Sequence, residues 1–143
     1  MKRSIDLFLS SKDYVSALTL VAAAEEILGK LLNREGKQHW LDEITAGALE
    51  ALGFVDKEIN SPEANAARKE IANLANHHKN RLKHFSDEGK MSFPVDVKAA
   101  EMIDHAISNY RKLTASQTGV MDRFLDFVLR RIWASLAQAE RQR

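Results

Sequence analysis

The sequence contains no cysteine. That excludes thiol catalysis, cysteine-based zinc knuckles and disulfide scaffolds. It contains only two prolines and six glycines. Most of them fall at the edges of apolar-periodic stretches, which argues against a strand-and-turn architecture and for helices throughout. No segment approaches the ~18 uninterrupted apolar residues of a membrane span. The opening stretch, MKRSIDLFLSSKDY, carries too short an apolar run for a secretory signal. The expectation is a cytoplasmic protein with no membrane contact. Charge of one sign is also lacking: 21 Lys and Arg stand against 20 Asp and Glu, a net +1. Affinity for a polyanion must therefore come from a local patch. Phosphate-cradling glycine loops, a serine nucleophile elbow and HExxH are absent as well.

What is present is helical periodicity. The 143 residues make one domain, 1–143, long enough to bury a core unaided. A short amphipathic leader covers Ser4–Ser10. Asp13 is the expected N-cap of a helix running to Asn33, with Gly36 marking its end. A second helix is expected from Trp40 to Val55, with Trp40, Leu41, Ile44, Ala48 and Leu52 inward. Ser61-Pro62-Glu63 supplies a capping hydroxyl, a first-turn proline and a carboxylate, and starts a helix through His84. Asp87–Lys90 reads as a solvated turn. Two further helices follow, Val95–Thr114 and Val120–Ala139, separated at Thr118-Gly119. The last has a broad apolar surface, from Met121 and Phe124 to Trp133 and Leu136. That surface suits either its own bundle or a partner subunit on a second side. The fold class is all-α: an antiparallel helical bundle of about five long helices and a leader.

Projection at about 100° per residue sorts the side chains by direction. Glu25 falls among Tyr14, Leu18, Val21, Leu28 and Leu32, away from the polar stripe of Ser16, Thr19, Glu26, Lys30 and Asn33. An inward carboxylate needs a partner, because an isolated buried charge is costly. The other reading is a rim position with the head group in water. On the 62–84 helix, Ala67, Ile71, Leu74, Leu82 and Phe85 mark the apolar face, and His78 falls with them. Asn73, His77, Asn80 and His84 form a row on the opposite face, flanked by Asn76, Lys79 and Lys83, with Arg81 at the border. Asparagine and histidine are weak helix formers. A face built from them suits directed hydrogen bonds, though a plain solvated face is the alternative.

Metal binding is not expected. The nearest approach to a Glu-x-x-His ligand set is Glu101-Met-Ile-Asp104-His105, which projection puts on an exposed face with Asn109 and Lys112. No cofactor is expected either. The stretch 68–84 carries Arg68, Lys69, Lys79, Arg81 and Lys83 against Glu70, a formal surplus of four. Arg130, Arg131, Arg141 and Arg143 stand against Glu140 near the end. Cations hold phosphates, and histidine can move a proton near neutral pH. That combination suits RNA chemistry without a metal; a solvated basic helix face is the bland reading beside it.

The stretch DYVSALTLVAAAEEILGKLL resembles the second helix of the HEPN superfamily, an alanine-rich helix with an inward glutamate after a short leader. KNRLKH resembles that superfamily's Arg-polar-x3-His motif, with Asn80 as the polar residue and His84 as the histidine. AAEMIDHAISNYRKLT is similar to the following helix in small bacterial proteins of this kind, so the resemblance covers about residues 4–115. It implies a four-helix core, a homodimer with the motif helices facing each other, and RNA as target. The implied activity is a metal-independent endoribonuclease of toxin or phage-defence type, with a nucleotidyltransferase-like antitoxin as a kind of protein partner. His84 would transfer the proton, Lys79 would stabilise the phosphate, and Asn80 would orient one of them. Glu25 would fix the cation or the histidine, and His77, Asn76, Arg81 and Lys83 would hold the RNA backbone. One departure is plain: Lys79 stands at the arginine position, keeping the charge but losing the bidentate fork. The alternative implied by other members is a non-catalytic adaptor, antitoxin-like or nucleotide-binding module whose His/Asn row is structural.

Overall fold

The structure, a computed structural model, describes residues 1–54, 59–83 and 93–141, with side chains for 1–54, 59–77 and 93–132. The described residues are all-α: α1 Lys2–Asp6, continued by a π-helical turn Leu7–Ser11, then α2 Tyr14–Arg34, α3 Trp40–Ala51, α4 Pro62–Lys83, α5 Val95–Thr114 and α6 Gly119–Arg141. Among them no helix is long and apolar enough to cross a membrane.

Local chemistry sets most of these boundaries. Asp13 caps α2 by accepting from the Ser16 N–H at 3.1 Å, and hydrogen bonding from Ser16 holds its carboxyl below the usual range. Gly36, at φ +67°, ends α2 in a Schellman motif: Lys37 N–H donates to the Leu32 carbonyl and Gly36 N–H to that of Asn33. The Ser61 hydroxyl accepts from the Ala64 N–H at 3.1 Å and opens α4. α3 stops at Ala51, short of the expected Val55. Gly53, at φ +86°, closes a second Schellman motif in which Phe54 N–H reaches back to the Leu49 carbonyl.

The core lies chiefly between α2 and α5, the most extensive helix pair. Ala17, Leu18 and Val21 meet Ala99, Ile103, Ala106 and Ile107, all of them buried. α1 closes one side and joins α2 to α6. Phe8, at the π turn, stands edge-on to Tyr14, Phe124 and Phe127, with ring centroids 5.1, 5.6 and 5.7 Å away. The extra residue of a π turn shifts the helix register, and Lys12 in the left-handed region (φ 55°) then redirects the chain into α2.

Beyond this core, α6 is tied down by polar links. Arg131 bonds Asp96 at 2.8 Å and holds that carboxyl below its ordinary range. Arg123 pairs with Asp6 at 3.5 Å.

The projected faces of α3, α4 and α5 are corrected. On α3 the buried residues are Trp40, Thr45 and Leu49, whereas Ile44 and Leu52 are exposed. The rotation of α3 is set at its first residue, whose N–H is held by α5 (below), and not by the helix's own apolar spacing. On α4, Ala64 is buried and Leu74 is exposed. On α5, His105 is half-buried and Asn109 fully buried, not on an exposed face, because α3 covers that side. On α6, Met121 and Phe124 are buried while Leu129 and Ile132 are open. The expectations placed on Val55, Phe85, the 87–90 turn and the side chains of His78, Leu82, Trp133 and Leu136 lie outside the described residues.

Candidate functional site: a buried acid, an indole and an imidazole

Three helices bring polar side chains together beneath a small cavity. α2 supplies Glu25, α3 begins with Trp40, and α5 supplies His105 and Asn109. Glu25 is 5% exposed and accepts a hydrogen bond from Trp40 Nε1 at 2.5 Å. The inward reading of this acid is the one the fold adopts, and an indole N–H is one of its partners.

Trp40 is fixed from both ends. Its backbone N–H, which no helical carbonyl can take at the first position, donates to Asn109 Oδ1 at 3.0 Å. The residue before it, His39, forms the cap: its Nδ1 accepts from the Leu41 N–H, and its own N–H donates to the Asp42 carboxylate. The Trp40 ring lies flat on the imidazole of His105, with centroids 3.6 Å apart and planes 9° from parallel. Among the described residues, His105 Nδ1 and Asn109 Nδ2 are buried without a hydrogen-bond partner.

Burial pushes the His105 imidazole below the ordinary histidine range. Asp104, Glu25 and Glu101 offset this in part, and Lys98 reinforces it. The sign of the resulting pH effect follows. The unfolded chain takes up a proton at about pH 6.5 that the folded chain refuses until lower pH. Stability from this residue is therefore complete above about pH 6.5 and declines as pH falls below it. We expect the melting temperature to drop between about pH 7 and 5, and His105→Phe, which keeps a ring on Trp40, to flatten that slope. An unchanged slope in the variant would assign the effect to other groups.

The cavity above this cluster measures about 250 Å³ and lies between Leu18, Ile44, Leu74 and Met102, with the Lys98–Glu101 ion pair (2.8 Å) on its lining. Gly29, one turn beyond Glu25, is buried. A Cβ there would sit 3.8 Å from Glu25 Oε1 and from the His39 ring, ordinary contact distances. Gly29→Ala should fit and should raise stability by about 0.5–1 kcal/mol through helix propensity, read by denaturant titration. A loss would mean that the backbone of α2 must approach α3 more closely than the contacts imply.

Of the other anticipated site residues, the two with described side chains, His77 and Asn76, are not gathered here. His77 is exposed on α4. Asn76 is half-buried and donates to the Ala72 carbonyl of its own helix at 3.0 Å. Lys79, Asn80, Arg81 and Lys83 continue the α4 backbone, but their side chains lie outside the described residues, and His84 lies wholly outside them. The sequence pattern does not mark Trp40 as a polar partner, and His105 stands out in it only as part of the weak metal motif. A tryptophan directly after a capping histidine, and an asparagine in mid-helix, were the signals available. Among the described residues no three His, Asp or Glu side chains gather as a metal site. No family model matches the chain, and neither curated proteins nor solved structures yield a match.

Proposed function

We propose that the chain is an RNA-directed, HEPN-like helical protein whose chemistry is metal-independent RNA cleavage. The observation that supports this reading is the burial of Glu25 on an alanine-rich helix packed against α4, the helix that carries Lys79 and Asn80 and leads to His84. In the proposed reaction His84 takes the proton from a ribose 2′-hydroxyl. The oxygen attacks the adjacent phosphorus, Lys79 stabilises the charge on the phosphoryl oxygens, and the 5′-oxygen leaves, giving a cyclic phosphate end. The basic surplus of 68–84 would hold the backbone. The test is cleavage of structured and unstructured RNA with chelator present. The expected result is cyclic-phosphate products that His84→Ala abolishes; equal background from both proteins rejects the proposal.

A second reading is favoured by a specific contact. Glu25 is engaged by Trp40, so its burial can be accounted for by the junction of α2, α3 and α5 alone. On that reading the protein is a non-catalytic module, an adaptor, antitoxin-like partner or nucleotide binder. His84→Ala would then lower the melting temperature and leave RNA affinity unchanged. Salt separates the two readings, since phosphate binding weakens steeply as salt rises and a buried network does not.

A further inference from the structure

The cavity over the stacked Trp40 and His105 rings plays no part in the reaction proposed above. Its volume is about 250 Å³. Leu18 and Met102, both buried, make its inner wall. Ile44 of α3 and Leu74 of α4 also line it and are 46% and 66% exposed, so it opens between those two helices. Mostly apolar walls with a few placed polar groups are the composition of a small-molecule site. Water suits such a space poorly, because a buried water needs about two to four polar partners. The polar side chains on the described lining are His105 and the Lys98–Glu101 pair, and that pair is already closed on itself at 2.8 Å.

We infer that this cavity binds a small, uncharged aromatic molecule carrying a hydroxyl group. Volume sets the size. A cavity of about 150 Å³ accepts benzene, so the larger space here takes a ring with a short substituent or a second fused ring. His105 sets the polar group. Its Nδ1 is buried with no hydrogen-bond partner among the described residues, and buried polar atoms in folded proteins are nearly always satisfied. Trp40 covers one face of the imidazole, which leaves Nδ1, on the ring edge, still to be matched. Burial keeps the ring largely uncharged at neutral pH. A nitrogen of a neutral imidazole donates or accepts according to tautomer, and a hydroxyl does both. The surroundings set the charge. Glu101, Asp104 and the buried Glu25 all act on the imidazole, against the single cation Lys98. An anion would meet more negative than positive charge there, and a cation would lose its water against apolar walls.

The inference does not rest on RNA chemistry, and its test uses no nucleic acid. The full chain is titrated at neutral pH with para-ethylphenol, ethylbenzene and para-ethylbenzoate, three probes that share a ring and differ in the polar group. Binding is read from the chemical shift of the Trp40 indole N–H. The phenol should bind with a Kd of roughly 100 µM, within reach of a molecule of that size. The other two should bind roughly tenfold more weakly, for want of the hydrogen bond or because of the charge. The walls come from α2, α3, α4 and α5, so the phenol should also raise the melting temperature. Ala75→Phe fills the cavity from α4 and should abolish binding. Ile44→Trp, at an exposed position of the opening, is the second blocking variant should the first fail to fold. His105→Phe keeps a ring against Trp40 and should erase the preference for the phenol over ethylbenzene. No binding of the phenol at millimolar concentration overturns the inference, as does binding that both blocking variants leave unchanged. Tighter binding of the benzoate overturns the uncharged class of ligand. A preference for the hydroxyl that survives His105→Phe overturns the imidazole as the group that recognises it.

Discussion

Trp40→Ala is expected to remove about 3–5 kcal/mol of stability, the range for deleting a large buried aromatic. The side chain is 3% exposed, so nearly all of its surface returns to a cavity. More than volume is lost. The imidazole of His105 loses the ring on which it lies, and Glu25 loses an indole donor. Trp40→Phe divides the effect. It keeps a ring for His105 and withdraws the N–H, and a buried acceptor deprived of a donor costs about 1–3 kcal/mol. Combining Trp40→Phe with Glu25→Gln in a double-mutant cycle isolates that bond, and coupling is expected because the two groups touch. Denaturant unfolding measures each value. A loss below about 1 kcal/mol for Trp40→Ala would mean that the side chain is not enclosed as described.

Phe8→Ala is expected to cost a similar amount, about 3–5 kcal/mol, for a different reason. Phe8 is 1% exposed and is the shared neighbour of Tyr14, Phe124 and Phe127. Edge-to-face pairs add to simple burial, each by about 0.5–1.5 kcal/mol. Removing the ring withdraws the common partner through which α1 holds α6. Calorimetry or denaturant titration checks the value. Phe8→Leu should recover part of it by refilling the space, without recovering the ring contacts. Equal loss in the two variants would place the whole effect in aromatic geometry, and no loss in either would contradict the enclosed position of Phe8.

Helix positions were legible where short-range chemistry sets them. α5 matches its expected limits, Val95 to Thr114, because Pro94 precedes it and the residue after it turns left-handed. Asp13, Gly36 and Ser61-Pro62 marked helix ends in the same way. Faces were legible only where one neighbour dominates, as for Glu25 on α2. They failed on α3 and on the second side of α5. There the deciding contact is Trp40 N–H to Asn109, two residues 69 apart in sequence, and no local periodicity encodes a bond of that span. The π turn was also invisible, since its extra residue leaves the apolar pattern of the leader intact. The His84 motif belongs to the functional proposal and not to the geometry described here.

The leader helix touches both α2 and α6, and among the described residues α6 approaches α5 less closely than α2 does. α1 and α6 therefore depend on each other. In amide hydrogen exchange, residues of α1 and the first half of α6 should lose protection together, as one cooperative opening. The α2–α5 pair should hold its protons until the whole molecule unfolds.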